Sequence, residues 1–141
     1  MSDTCYFEMT VLKKDVEKIN KIMFGNCKGC PWGEENENDD GTISLIEYEA
    51  NYGYYDQLLK LAEEGIVFEG SHGAGGGYGE SVFACCNGKQ VEASAIEGAP
   101  VAHVHKDGNI DAGVRACIED YYQTLEAVNE YFKENGINAN S

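Results

Sequence analysis

Hydrophobic and polar residues alternate at the start of the chain with the period of a β-strand. Every second residue from Cys5 to Val11 is apolar, which is typical of a strand with one buried face. Between residues 14 and 24 apolar side chains recur every three or four positions and Gly25 follows, so this segment is predicted to be a helix that the glycine ends. Residues 26–41 are mostly polar and show no period, and we expect them to be irregular.

The rest of the chain continues the order of strands and helices. Residues 42–50 predict a strand, residues from about 55 to 62 a helix that ends near Gly65, and residues 66–68 a short strand. Segment 70–79 is dominated by glycine and predicts a flexible loop. Antiparallel strands over 81–86, 89–96 and 100–105 are expected next, followed by a long amphipathic helix over 111–134.

These elements predict a single α+β domain over residues 1–141, with a disordered tail from about residue 136. We expect a single layer of mainly antiparallel sheet with two to three helices packed on one face, and a ferredoxin-like arrangement is one option. With 43% hydrophobic residues, a chain of this length can bury a core of its own.

Charge narrows the kinds of partner that the protein can have. Ten basic and 25 acidic residues give a formal charge of −15, which argues against direct binding to nucleic acid or to an anionic membrane. Residues 34–70 hold eleven acidic residues and a single lysine, so the charge is concentrated in one part of the chain. We therefore expect a basic protein surface as the partner, such as that of a nucleic-acid-binding protein, and leave open a homodimer.

The predicted partner-binding surface combines carboxylates with neighbouring tyrosines. Carboxylates spaced along a loop and a strand can imitate the electrostatic field of nucleic acid, and tyrosines bury much area at a small entropic cost. The residues predicted to form this surface are Glu34, Glu35, Glu37, Asp39, Asp40, Glu47, Glu49, Tyr52, Tyr54, Tyr55, Glu63, Glu64 and Glu69. In the glycine-rich loop, His72 and Tyr78 are predicted to add shape specificity.

The spacing of cysteine and histidine residues indicates candidate metal ligands, with less support than the partner-binding surface has. Cys27 and Cys30 have the spacing of half a zinc site, and His103 and His105 fall on one face of a predicted strand. A second Cys-x-x-Cys pair is missing, so we expect no cofactor and leave zinc as the one metal open. Residues 36–47 also match the oxygen ligands of an EF-hand loop, but no helix is predicted before them.

The sequence predicts a non-enzymatic interaction protein of the cytoplasm. No motif fixes a reaction, and neither a targeting segment nor an apolar run of membrane-spanning length is visible. In size, charge and compactness the chain resembles the acidic inhibitors that phages and mobile elements use against restriction or CRISPR machinery, although no specific motif carries the likeness. We therefore expect it to mimic nucleic-acid charge and occlude a basic nucleic-acid-binding surface of a defence protein. The alternative is a small-molecule or metal-binding domain that uses the 70–79 loop with His72, His103, His105 or the Cys27/Cys30 pair.

Overall fold

A computed structural model of the protein describes residues 4–25 and 31–136, which form seven strands and three helices. The strands are β1 (Thr4–Leu12), β2 (Glu34–Glu37), β3 (Thr42–Asn51), β4 (Phe68–His72), β5 (Ser81–Cys86), β6 (Lys89–Ile96) and β7 (Ala99–Pro100). The helices are α1 (Val16–Phe24), α2 (Tyr55–Glu63) and α3 (Ala112–Gly136). Short 3-10 turns, Lys13–Asp15 and Tyr52–Tyr54, lead into α1 and α2.

The strands form one antiparallel sheet in the order β2-β3-β1-β4-β5-β6-β7. The elements from β1 to β4 follow one another as strand, helix, strand, strand, helix, strand, which is the element order of the ferredoxin-like arrangement. Strands β5, β6 and β7 extend the sheet beyond β4 as a meander. An α+β fold built on a mainly antiparallel sheet is therefore confirmed.

The two faces of the sheet are covered by different helices. Successive residues of a strand point to opposite faces, and β5 shows the consequence. Phe83 and Cys85 join the apolar cluster that contains residues of α1 and α2, whereas Val82 and Ala84 join the cluster that contains residues of α3. Two helices thus share one face, which is the lower of the predicted numbers, and α3 packs on the opposite face.

Aromatic rings fill the core beneath α1 and α2. Phe7 lies at the centre, with ring centroids 5.0 Å from Tyr54, 5.6 Å from Phe83 and 6.0 Å from Trp32. Stacked and edge-on aromatic pairs at these distances add to the energy of burial itself. Phe7, in the middle of β1, therefore ties the sheet to the 3-10 turn that precedes α2.

Three segments differ from the sequence prediction. Glu34–Glu37, expected to be irregular, is an edge strand because it pairs with β3, and this hairpin replaces any EF-hand loop. Residues 70–72, expected to start the glycine-rich loop, complete β4. The strand expected over 100–105 is reduced to Ala99–Pro100 and a single bridge between Val104 and Ile110; Pro100 has no N–H with which to extend a ladder.

The C-terminal helix also differs from its predicted bounds. Gly136 is the last residue of α3 and is buried, and the disordered tail predicted from about residue 136 falls on residues 137–141. Residues 137–141 lie outside the described part of the chain. The helix is therefore longer than the 111–134 segment that the sequence predicted.

Candidate functional site

Five of the predicted carboxylates lie along the free edge of β2 and in the turn that follows it. Glu34, Glu35 and Glu37 belong to β2, the first strand of the sheet, and Asp39 and Asp40 lie in the turn to β3. All five are exposed. We call these five residues the acidic edge.

Lys13 and Thr42 contact two carboxylates of the acidic edge. Lys13 Nζ lies 2.7 Å from Glu37 Oε1, but both side chains are more than half exposed, and such surface pairs contribute little stability. The hydroxyl and the backbone N–H of Thr42 donate hydrogen bonds to Asp40 Oδ1, and the hydroxyl contact is the main cause that lowers the pKa of Asp40. The turn carboxylate is therefore held in its ionised form.

The remaining predicted carboxylates lie elsewhere on the molecule. Glu47 is half-buried on the face of α1 and α2, and Glu49 is exposed near the end of β3. Glu63 and Glu64 are exposed at the end of α2. Glu69 is half-buried on β4, where burial raises the pKa of its carboxyl and a hydrogen bond from Thr10 opposes that shift. The predicted set is thus spread over several elements, and only the five residues of the acidic edge lie together on a single strand and turn.

The three predicted tyrosines divide between surface and core. Tyr52 and Tyr55 are 57% and 54% exposed, whereas Tyr54 is only 9% exposed within the aromatic core. Burial raises the pKa of Tyr54 to about 12. Tyr54 is therefore a core residue, and Tyr52 and Tyr55 are the two that a partner or ligand can reach.

This division follows from a left-handed backbone turn. Tyr52, Gly53 and Tyr54 have φ angles of 52°, 60° and 57°, a region that disfavours every residue except glycine. Non-glycine residues in this region cost about 1–2 kcal/mol each, and such strain is concentrated at functional sites. The turn directs Tyr54 into the core and leaves Tyr52 outside.

A cleft of about 650 Å³ opens between this turn and the sheet. Its walls come from the Tyr52–Tyr54 turn, the first turn of α2, the end of the glycine-rich loop and residues of β5 and β6. His72, the last residue of β4, lies in the cleft and is 8% exposed. We call it the His72 cleft.

The imidazole of His72 is held by two acceptors. Its Nε2 lies 3.1 Å from Glu92 Oε1 and its Nδ1 lies 2.9 Å from the carbonyl oxygen of Gly73. A carboxylate and a carbonyl oxygen can only accept, so both ring nitrogens donate when the ring is protonated as an imidazolium. The hydrogen bond to Glu92 is the main cause that raises the pKa of His72.

Glu92 is stabilised as an anion by the same contact. The hydrogen bond from His72 lowers the pKa of Glu92, and a hydrogen bond from Ser81 adds to this effect. The Ser81 hydroxyl therefore donates to the carboxylate, so the three side chains form an ion pair with a supporting donor. In this arrangement the imidazolium has no lone pair to act as a base toward the Ser81 hydroxyl.

The glycine-rich loop folds back over His72. The ring of Tyr78 meets that of His72 edge-on with centroids 5.5 Å apart, and its centroid lies 6.2 Å from that of Tyr52. The Gly75 N–H donates a hydrogen bond of 3.0 Å to the Tyr78 carbonyl, and a Cβ on Gly75 would overlap the Tyr78 ring. The structure thus brings together His72 and Tyr78, the two residues that the sequence predicted for this loop.

The predicted metal ligands do not form a site within the described residues. His103 and His105 are exposed, with ring centroids 5.7 Å apart. Residues 4–25 and 31–136 contain no group of three or more His, Cys, Asp or Glu side chains placed to hold a metal ion. Cys27 and Cys30 lie outside the described residues, while Cys5 and Cys85 are buried free thiols.

Three carboxylates of the His72 cleft were not predicted from the sequence to belong to a site. Glu92 occupies a polar position in the alternating pattern of β6, Asp56 lies in the first turn of α2, and Glu80 directly precedes β5. The register of β4, β5 and β6 brings Glu92 to His72. No spacing along the chain signals that contact.

No known protein family, no curated protein and no solved structure matches this chain. Within the two described segments, no helix combines the length and the apolar character needed to cross a bilayer. Any function must therefore be argued from the acidic edge and the His72 cleft themselves.

Proposed function

We propose that this protein is a non-enzymatic acidic interaction protein that binds the basic, nucleic-acid-binding surface of another protein. The observation that carries the proposal is the acidic edge, in which five exposed carboxylates lie within residues 34–40, on an edge strand and the turn after it. Successive side chains of a strand point to opposite faces, so Glu35 and Glu37 share one face, about 6.6 Å apart, and Glu34 lies on the other. The edge therefore presents negative charge on both sides of β2 to side chains that normally bind phosphates.

The proposed mode of action is occlusion. Lysine and arginine side chains of the partner pair with the acidic edge in place of phosphates. Tyr52 and Tyr55, which the sequence predicted for the same surface, line the His72 cleft instead. In this role the protein acts as an inhibitor of a restriction or CRISPR protein, of the kind that phages and mobile elements produce. We place it in a cytoplasm, where the free thiols of Cys85 and Cys86 stay reduced.

The test compares two triple variants of equal charge. Glu34, Glu35 and Glu37 are changed to glutamine in the first, and the exposed Glu17, Glu97 and Glu119 in the second. The immobilised wild-type protein is used to capture partners from a host lysate. Each captured protein is then purified and assayed for DNA binding with and without the wild-type protein and the two variants.

The proposal expects the wild-type protein to abolish DNA binding by its partner and expects affinity to fall steeply as salt rises. The first variant should bind about tenfold or more weakly than the second. Equal affinities of the two variants, or an affinity that is indifferent to salt, would contradict the proposal.

A different observation favours the sequence-predicted alternative, a small-molecule site at the glycine-rich loop. That loop closes over the His72 cleft, whose polar and aromatic walls are typical of ligand sites. Three strand spacings, about 14 Å, separate β2 from β4, so the cleft does not depend on the acidic edge. Changes at Glu34, Glu35 and Glu37 should leave a ligand of the cleft unaffected, and changes in the cleft should affect it directly.

A further inference from the structure

We propose that the His72 cleft binds an organic cation, an alkylammonium or guanidinium group, against the rings of Tyr52 and Tyr78 and the carboxylates of Asp56, Glu80 and Glu92. The inference rests on the second candidate function, a ligand site at the glycine-rich loop, and is independent of the acidic edge. It names the chemical class of the ligand and the groups that select it.

The charge of the cleft favours a cation. Three carboxylates line it, and the described lining residues include neither lysine nor arginine. His72 contributes one positive charge when it is protonated, and Glu92, at 3.1 Å, neutralises it. The N-terminus of α2 adds about half a positive charge, and Asp56 lies in that first turn. The sum remains negative, so an anion is disfavoured and a cation is attracted.

Two of the three carboxylates are already engaged, which leaves Asp56 as the group best placed to meet a ligand. Glu92 accepts hydrogen bonds from His72 and Ser81. Glu80 accepts from the backbone N–H groups of Glu97 and Gly98, at 3.2 and 2.8 Å. Asp56 is exposed at the mouth of the cleft. Glu80 and Glu92 thus contribute to the negative electrostatic potential of the cleft, and Asp56 can pair directly with a charged nitrogen.

The aromatic rings supply the second element of recognition. Tyr52 and Tyr78 approach with centroids 6.2 Å apart and planes inclined by 36°, and both line the cleft. The face of an aromatic ring attracts cations, and aromatic walls of this kind bind alkylammonium and guanidinium groups. Tyr52 is 57% exposed although its backbone is strained, with a φ of 52°. The fold thus holds an exposed ring over the cleft at an energetic cost, which is the pattern of a binding site.

The cleft also has the right size. A volume of about 650 Å³ lies within the range of about 300–1,000 Å³ that is usual for small-ligand sites. It can take an amine with its alkyl chain, or one arginine side chain from a protein partner. The two sources share the same charged group and differ in what is attached to it.

The experiment is an NMR titration of the whole protein with three probes. n-Butylamine represents a free amine, N-acetyl-arginine amide represents an arginine side chain in a protein, and N-acetyl-citrulline amide is a neutral control of nearly the same shape as the arginine compound. We expect one or both cationic probes to shift the resonances of Tyr52, His72 and Tyr78, and the citrulline compound to leave them unchanged. Tighter binding of butylamine would identify a small amine as the ligand, and tighter binding of the arginine compound a protein side chain.

Two variants test the assignment of the groups. Asp56→Asn should weaken the cationic probe about fivefold, the effect of one neighbouring charge in water, and Tyr52→Leu should weaken it comparably. Glu34→Gln, on the acidic edge, should leave the affinity unchanged. The proposal is overturned if neither cationic probe shifts the cleft, if citrulline binds equally well, or if Asp56→Asn has no effect. None of these outcomes would bear on the acidic-edge proposal, whose test depends on Glu34, Glu35 and Glu37.

Discussion

Gly53 lies directly against the imidazole ring of His72. A Cβ at residue 53 would stand 2.9 Å from Cδ2 and 3.0 Å from Cγ of that ring, and the φ angle of Gly53 is 60°. Glycine is thus required twice, once by the left-handed backbone and once by the ring packed against it. The position of His72, and with it the floor of the cleft, depends on the turn that precedes α2.

Gly53→Ala should therefore destabilise the protein more than its backbone conformation alone accounts for. We expect a loss of about 2–3 kcal/mol in the free energy of unfolding, measured by urea denaturation. Gly65→Ala is the matched control, because Gly65 also has a positive φ of 75° but has nothing within 4 Å of an added Cβ. Its loss should be about 1 kcal/mol. Equal losses in the two variants would mean that the His72 ring moves aside with no effect on the free energy of unfolding.

The ion pair between His72 and Glu92 should make stability depend on pH. The pKa of His72 is raised from 6.5, so its contribution is complete below about pH 6.5 and is lost as the pH rises through the raised value. The pKa of Glu92 is lowered from 4.5, so its contribution is present above about pH 4.5 and is lost as the pH falls through the lowered value. The pair therefore stabilises the fold most between these limits.

Glu92→Gln isolates this contribution, because glutamine keeps an acceptor but carries no charge. The wild-type protein should lose about 1 kcal/mol more stability than the variant between about pH 6 and pH 9, a value kept small because Glu92 is partly exposed. Thermal denaturation at both pH values measures the difference. Parallel pH profiles for the two proteins would show that the pair makes no net contribution.

The strands were predictable where one face is apolar and the other polar. β6 illustrates this, since Val91, Ala93 and Ala95 are buried and the residues between them are more exposed. β2 escaped prediction because all four of its residues are polar and exposed. Its conformation comes from pairing with β3, and charged residues on an edge strand also protect it from pairing with other chains. A pattern of hydrophobic residues cannot predict a strand that has no buried side chain.

The contents of the cleft were only partly predictable for a related reason. The glycine-rich segment pointed to His72 and Tyr78, because an adaptable loop needs residues of this kind. Glu92 lies twenty residues after His72 and reaches it only through the register of β4, β5 and β6. The face on which α3 packs was equally hidden, since an amphipathic helix shows that it has an apolar side but not which side of the sheet it covers.

Trp32 provides a test of how the segment before β2 is anchored. Its indole Nε1 donates a hydrogen bond of 2.7 Å to Asn20 Oδ1 of α1, and the side chain is 5% exposed. Asn20→Ala removes this acceptor and should cost about 1–2 kcal/mol. The chain contains a single tryptophan, so the unfolding curve can be followed by its fluorescence.

Asn129→Ala is the matched control for that measurement, because Asn129 is an exposed asparagine of α3. Surface changes of this type usually alter stability by no more than about 0.5 kcal/mol. A loss at Asn20 no larger than that at Asn129 would show that the bond to the indole contributes nothing.

The end of α3 fixes the turn that carries part of the acidic edge. A Cβ on Gly136 would overlap the backbone oxygen of Asp40, and a Cβ on Gly41, whose φ is 84°, would overlap the backbone of Gly136. The last turn of the helix and the β2–β3 turn therefore approach with no room for a side chain at either position. The orientation of Asp39 and Asp40 depends on this contact.

Gly136→Ala and Gly113→Ala should consequently have opposite effects, although both glycines belong to α3. Helix propensity alone favours alanine over glycine by about 1 kcal/mol. A Cβ on Gly113 would meet a single side-chain atom, a carboxylate oxygen of Asp111 at 3.2 Å, and no backbone atom. We expect Gly113→Ala to be neutral or slightly stabilising. Gly136→Ala should lose about 2 kcal/mol or more, because backbone atoms must separate to admit the methyl group. Urea denaturation measures both variants, and a gain of stability in Gly136→Ala as well as in Gly113→Ala would mean that helix propensity outweighs the close approach. If the turn moves as expected, Gly136→Ala should also weaken partner binding at the acidic edge while every carboxylate is still present.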